Sequence, residues 1–516
     1  MLIKVLSAAS IGLESLKITV EVDVAKRGLP TFEIVGLPDK ATTESKHRIK
    51  AAILNLGLDF PMSRKITVNL APADVPKQGS LYDLPIAVGL ICLIYDINLP
   101  ENLLFFGELS LDGTLRHTKG AFLLALFAKE SGYLKIFVPK QNLREVASIP
   151  GLQVFPVENL MDLFSYLKDK SKLEPVITEE FSLDLEGGSS KPVEEFGGLD
   201  MEDIIGQAQV KRALEISAAG GHNFLMIGPP GSGKTLLAKT FPSILPSLTL
   251  KESLEVTKIY SAAGLISPGG SLIIKRPFRA PHHTASYAGM VGGGAIPHPG
   301  QISLAHRGVL FMDEFPEFPR SILEMLRQPL EEGEIIISRS SGSYMFPCRF
   351  ILIAAGNPCP CGFFGTNKVC KCAPGQILRY RKKLSGPVMD RIDLFSSVHP
   401  VDLDKLKRFS SKKVKGESSK EIKFRVEKAR GLQKERFNSL DLVCNSEMSN
   451  KEIGRFCGLD HSGNLLLKQA TELYELSARS YFKVLKISRT IADLSLSEGI
   501  KENHIAEALQ YRYKDI

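Results

Sequence analysis

The 516-residue sequence predicts an α/β multidomain chain: an N-terminal α+β domain, a central α/β domain with a parallel sheet behind a phosphate-binding loop, and a C-terminal helical lid. Three observations carry this. The length exceeds what one hydrophobic core ordinarily supports and suggests about three domains. An apolar run, Phe224–Ile227, leads directly into GPPGSGKT and then into a helical pattern. Beyond Ser449 the apolar residues keep helical spacing to the end of the chain.

In the first block KITVEVDV alternates Ile18, Val20, Val22 and Val24 with polar residues, as in a strand with one wet face, and KITVNL repeats this with Ile66, Val68 and Leu70. Between them Ile49, Ala52, Ile53 and Leu56 fall on one helical face, and Gly57 suits a C-cap. The Glu-, Ser- and Gly-rich stretch 171–198 has linker composition, which sets domains at 1–170, 199–400 and 401–516. In the last of these, Ser449 and Glu452 form a capping-box pattern ahead of three amphipathic helices.

A composition of 44% hydrophobic and 24% charged residues excludes a largely disordered chain. No apolar run approaches the ~18–20 residues that a bilayer crossing needs. LPIAVGLICLIY is short and flanked by Asp83 and Asp96, and the first residues show no signal-peptide pattern. The expectation is a cytoplasmic protein with no membrane partner. The net charge of +8 is concentrated: residues 405–436 alone carry +9, leaving −1 elsewhere. That segment is either a solvated connector or a stretch that contacts a polyanion such as DNA.

The central chemistry starts at Gly228, Pro229, Pro230, Gly231, Ser232, Gly233, Lys234 and Thr235. Glycines let such a loop wrap phosphates with its backbone N–H groups, and the following helix adds its positive end. Lys234 is expected on the β and γ phosphates of ATP and Thr235 on Mg²⁺. GVLFMDEF supplies a buried strand ending in Asp313, the expected second Mg²⁺ ligand, and Glu314, the expected base for water. RFILIAAGN ends another apolar strand at Asn357, placed to orient that water or touch the γ-phosphate. Arg391 is read as an arginine finger for a neighbouring subunit's ATP, or else as a partner of Asp390 or Asp393; Arg479 is a sensor candidate or a plain surface arginine. His282 and His283 lack nearby carboxylates in the sequence and read as loop packing.

Cys359, Cys361, Cys370 and Cys372 form C-x-C-x₈-C-x-C. Four thiolates suit a closed, structural Zn²⁺ site, the alternative being reduced free thiols. The adjoining Arg379, Tyr380, Arg381, Lys382 and Lys383 mix cations with a ring that can stack on nucleic acid, though a solvated basic helix has the same composition.

The strings RPFRAPHHTAS, PGQISLAHRGVLFMDE, AAGNPCPCG and LSGPVMDRIDL resemble the magnesium-chelatase-like AAA+ proteins, and among them the bacterial ComM/YifB family, over nearly the whole chain. The resemblance implies a hexameric homo-oligomeric ring with ATP between subunits. It further implies a DNA helicase or branch-migration motor that promotes integration of single strands in homologous recombination during natural transformation. By the same analogy Asn357 matches sensor 1, Arg391 the trans-acting finger and Arg479 sensor 2, and the segments 266–300 and 334–349 match hairpins aimed at a central pore. The strings GELSLDGTLRHTKGAFLLALFAKESGYLKIFVPKQN and DVPKQGSLYDLPIAVGLI resemble the Lon protease domain. Its dyad positions fall near Leu81 and Phe122, with Ser80 one place off, so the resemblance implies a proteolytically inactive domain. A chelatase-type ATPase that remodels a protein partner and a Lon-like ATP-dependent protease are the competing readings.

Overall fold

The computed structural model describes residues 2–25, 29–169, 173–177, 198–294, 297–339, 342–366, 368–384, 386–400, 416–440 and 442–512. Most of the expected 171–198 linker and the 401–415 part of the basic segment lie outside the described residues. The chain divides into two compact units. One is the N-terminal block together with Leu250–Ile274 and Ala295–Pro299; the other is the remainder.

The first unit is built on a mixed eight-stranded sheet of β1 (Leu2–Ile11), β2 (Glu14–Val24), β3 (Phe32–Val35), β4 (Ile66–Ala71), β5 (Leu103–Phe105), β6 (Lys135–Pro139), β7 (Gln153–Val157) and β8 (Val176–Ile177). Its order is β8-β7-β6-β5-β1-β2-β4-β3. The predicted alternation holds: Ile18, Val20, Val22 and Val24 of β2 and Ile66, Val68 and Leu70 of β4 all point into the core. The predicted helix runs from Lys40 to Asn55, capped by Asp39 accepting from Thr42 N at 2.7 Å, and Gly57 takes a φ of 71° just past its end. LPIAVGLICLIY is a core helix, Asp83–Ile94, buried from Asp83 to Cys92. Each large aliphatic side chain so buried contributes about 1.5–3 kcal/mol. The one charge on it, Asp83, is matched by Arg48, whose Nε donates at 2.7 Å.

Leu250–Ala262 forms a helix of this unit, with Ser261 Oγ donating to the buried Glu145 carboxylate at 2.9 Å. After it, Leu272 enters the core around Phe122, and Gly269 N donates to Gln141 O. Among the described residues the segment 266–300 is therefore not one hairpin from end to end. Its apolar residues find a core first, Phe278–Arg279 then joins a sheet, and Tyr287–Val291 is a short helix.

The second unit centres on a parallel sheet of β9 (Phe224–Ile227), β10 (Phe278–Arg279), β11 (Val309–Met312), β14 (Ile351–Gly356) and β15 (Leu394–Ser397), in the order β10-β11-β14-β9-β15. Between β11 and β14 the chain makes the predicted ribbon, β12 (Glu334–Arg339) against β13 (Gly342–Pro347), in register from Glu334↔Pro347 to Arg339↔Gly342. The buried runs of β11 and β14 have side chains covered on both faces, as a parallel sheet requires. Four C-terminal helices follow: Asn450–Phe456 with its Ser449–Glu452 capping box, His461–Leu473, Ala478–Leu494 and Glu502–Gln510.

The described basic segment is the helix Ser419–Arg436, and much of its charge is used internally. Arg425 pairs with Glu215 and Glu417, Arg430 donates to Ala218 O, and Arg436 pairs with the buried Asp493. Phe424 stays exposed with Lys428 Nζ 4.3 Å from its ring centre. No helix among the described residues is long and apolar enough to cross a membrane.

Candidate nucleotide site

The loop leaves β9 where only glycine fits. Gly228 N donates to Gly356 O at 3.1 Å, and a Cβ on Gly228 would lie 2.3 Å from Val398 O. Gly231 and Gly233 adopt φ of 75° and 89°, a region that side chains other than glycine's seldom enter. The chain thereby turns back on itself before the helix Lys234–Thr240 begins. Lys234 Nζ folds over the loop, donating to Gly228 O at 2.7 Å, Pro229 O at 2.9 Å and Asn357 Oδ1 at 3.2 Å. Burial pushes its amine below the ordinary lysine range, against the pull of Asp313 and Glu314. The Ser232 hydroxyl in the same loop is buried with no hydrogen-bond partner among the described residues, as a cradle shaped for a polar ligand would leave it.

Strand β11 delivers the carboxylates. Thr235 Oγ1 donates to Asp313 Oδ2 at 2.7 Å, so one hydroxyl and one carboxylate face each other as a Mg²⁺ pair would. Glu314 has a φ of 51°, rare for a residue with a Cβ, and its N–H donates to Asp313 Oδ1 at 2.9 Å. Its carboxylate Oε2 lies 3.1 Å from His283 Nδ1. The sequence reading assigned His283 to loop packing because no acid stands near it in the chain. The partner comes from thirty-one positions on, brought alongside by the pairing of β10 with β11. His283 also lies against His282, ring centres 4.1 Å apart and tilted by 33°, and meets Phe318 edge-on.

Arg391 and Arg479 converge on one acid. Arg391 Nη2 pairs with Glu331, and Arg479 lies 3.8 Å from the same carboxylate and 3.7 Å from Asp390. Arg391 is nearly buried and Arg479 exposed. The carbonyl of Arg391 accepts from Asn223 Nδ2 at 2.9 Å, so the residue ahead of β9 holds the Arg391 loop from behind.

After Asn357 the chain turns through the four cysteines, whose sulfur atoms all lie within 4.8 Å of one another. Cys359–Cys361, Cys359–Cys370 and Cys361–Cys370 are 3.4, 3.7 and 3.5 Å apart. A disulfide needs about 2.05 Å, whereas a tetrahedron of Zn–S bonds of about 2.3 Å places sulfurs about 3.8 Å apart. The residues fit a metal. Backbone N–H groups of Phe363 and Lys371 lower the Cys361 thiol to about 6, whereas at Cys370 and Cys372 a backbone N–H is outweighed by burial and the neighbouring thiols, which push the thiol up, for Cys372 to about 12. Tyr380, expected as a stacking surface, is instead buried, with Lys383 Nζ 5.6 Å from its ring centre; Arg381 stacks over Phe364.

In the first unit, Ser80 Oγ donates to Glu108, a carboxylate and not an amine, and Phe122 is fully buried where a catalytic lysine would stand.

A parallel sheet that gathers a glycine-rich loop, a Thr–Asp pair, a carboxylate and an asparagine at the ends of β9, β11 and β14 defines a P-loop ATPase of the AAA+ class. Family models agree: one described as "Magnesium chelatase, subunit ChlI" matches residues 200–406, "Subunit ChlI of Mg-chelatase" matches 20–142, and "Magnesium chelatase, subunit ChlI C-terminal" matches 416–512. The chain is 41% identical to the competence protein ComM of Haemophilus influenzae, over 98% of this chain and 97% of that one. It is 43% identical to the uncharacterized protein YifB of Escherichia coli, over 98% and 96%. A Lon protease from Aster yellows witches'-broom phytoplasma is 32% identical over 23% of this chain and 16% of its own length. The chain belongs to the ComM/YifB family of magnesium-chelatase-like AAA+ ATPases.

Proposed function

We propose that the chain is one subunit of a hexameric ring that hydrolyses ATP with Mg²⁺ and uses the turnover to move DNA, as a helicase or branch-migration factor in recombination. The observation that carries the ATPase half is the convergence of Lys234, Thr235, Asp313, Glu314 and Asn357 around one loop. In this reading the loop N–H groups and Lys234 bind the β and γ phosphates, and Thr235 and Asp313 hold Mg²⁺, which neutralises charge between the phosphates. Glu314, steadied by His283, takes the proton of the attacking water. Asn357, already bonded to Lys234, orients that water against the γ-phosphate. Arg391 of each subunit serves the site of its neighbour, with Arg479 beside it; their sharing of Glu331 keeps both guanidinium groups at one place in the unit. The four cysteines hold a structural Zn²⁺.

The DNA half is supported by the exposed ribbon β12–β13, which pairs Ile336 with Met345 on one face and carries Arg339 near its tip. It is supported also by a relative over nearly the full length that is named a competence protein. The test is branch migration on a synthetic Holliday junction, with Lys234→Ala and Glu314→Gln as controls. ATP-dependent migration by the unaltered chain alone supports the reading; normal ATP hydrolysis without migration or unwinding removes it. The magnesium-chelatase family models favour a second reading, a motor acting on a protein partner. ATP hydrolysis indifferent to DNA is its signature.

A further inference from the structure

The cysteine cluster does not stand apart from the nucleotide loop. Asn357, the acceptor for Lys234 Nζ, lies two positions before Cys359, so β14 hands the chain from the phosphate site straight into the cluster. Cys359 is fully buried, and its Sγ accepts from Phe364 N at 3.3 Å. The turn between Cys359 and Phe364 is closed by Gly362 N donating to Cys359 O at 2.9 Å, with Gly362 at a φ of 83°. A Cβ on Gly362 would lie 2.4 Å from Cδ and 2.7 Å from Cγ of Pro230, and 3.8 Å from Cγ of Asn357. The backbone of the cysteine turn thus rests against the phosphate loop with no room for a methyl group.

We propose that this turn is a metal-held strut under the phosphate loop, and that metal occupancy of Cys359, Cys361, Cys370 and Cys372 and nucleotide occupancy of the loop are thermodynamically linked. The inference rests on both the nucleotide and the zinc readings above. With a cation bound, four thiolates are held together and the turn carrying Gly362 has one position. Pro230 is then supported from below and Asn357 is fixed where Lys234 meets it. Without the cation nothing bridges the four sulfur atoms, the turn relaxes, and the loop must be ordered at the moment nucleotide binds. Linkage is reciprocal: whatever factor the metal adds to nucleotide affinity, nucleotide must add to metal affinity.

The experiment uses the full chain and needs no turnover. Zinc content is measured by mass spectrometry, ADP·Mg²⁺ affinity by calorimetry, and the rate of zinc transfer to a colorimetric chelator with and without saturating ADP·Mg²⁺. The linkage predicts about one zinc per chain and a transfer rate slowed about fivefold or more by ADP·Mg²⁺. The variant Gly362→Ala, which alters no cysteine, keeps its zinc and melts lower, since a Cβ is strained at that φ and meets Pro230, but it also binds ADP more weakly, and in it ADP no longer slows transfer. A ligand effect from general tightening of the domain would survive in that variant. Unchanged transfer in the unaltered chain, with ADP binding normally, overturns the linkage while leaving the nucleotide reading intact. No ADP binding overturns it together with the nucleotide reading, and a chain purified folded and metal-free overturns it together with the zinc reading. Should Gly362→Ala fail to fold, the comparison of transfer rates in the unaltered chain decides alone.

Discussion

Lys234 and Asn357 are joined directly: the lysine amine donates to Oδ1 of the asparagine at 3.2 Å, linking the end of β14 to the loop that leaves β9. Lys234→Ala is expected to lose ATP affinity by about 100-fold, since a buried charge-assisted contact to phosphate disappears. Asn357→Ala keeps affinity near that of the unaltered chain and lowers kcat by about 10–100-fold, the usual scale for an orienting polar group. Calorimetry and steady-state hydrolysis, run on both variants, separate the two roles.

His283 is expected to act through Glu314, whose carboxylate it meets at 3.1 Å. Replacing it with alanine leaves the carboxylate without its 3.1 Å partner and should cut kcat about tenfold with little change in KM, because no phosphate contact is lost. Gln at the same position should recover part of the rate. A raised KM with unchanged kcat would show instead that the loop around His282 and His283 serves binding.

The finger assignment has a subunit-mixing signature. Arg391→Ala should be slowed about 10³-fold, and so should Lys234→Ala, yet a mixture of the two should regain activity. Each mixed interface can join an intact loop from one subunit to an intact arginine from the other. Arg479→Ala should complement in the same way if it acts beside Arg391. Failure of every mixture to recover would place both arginines on their own subunit's nucleotide.

Asp393 gives a pH test. Its carboxylate is largely buried, which alone would raise its affinity for a proton, but His222, with Nδ1 3.6 Å away, and the Lys483 and Lys486 charges hold it below the ordinary 3.8. A depressed pKa means the folded state sheds the proton more readily than the unfolded chain. The stabilisation is then complete above about pH 4 and drains away as pH falls through the folded value. Asp393→Asn should lower stability by about 3 kcal/mol at pH 7. The gap between the two urea midpoints should narrow below about pH 4.

Arg339 tests the DNA contact. Removing one phosphate-binding cation weakens binding across all sequences and reduces the salt slope by about one. Fluorescence anisotropy with Arg339→Ala over a range of salt measures both; an unchanged slope would take the ribbon out of the interface.

Much of this was legible from local pattern. The alternation in β2 and β4, the loop between β9 and its helix, and the four-cysteine spacing each state their geometry within a few residues. What stayed hidden depends on pairing between distant segments. His283 meets Glu314 only because β10 lies beside β11. Glu331 gathers Arg391 and Arg479 from two other, separate parts of the chain. Tyr380 read as a free ring because its helix is basic around it, yet its own face turns inward. The segment 266–274 fell within a stretch matched to a pore hairpin, but Leu272 had a core to enter that no local spacing discloses.

The most direct test compares ATP binding and ATP hydrolysis in the unaltered chain and in Glu314→Gln. The structure predicts equal affinity for ATP in both and hydrolysis at least about 100-fold slower in the variant, since only the proton acceptor is gone. Hydrolysis at an undiminished rate in Glu314→Gln would contradict the assignment of catalysis to this loop and its two carboxylates.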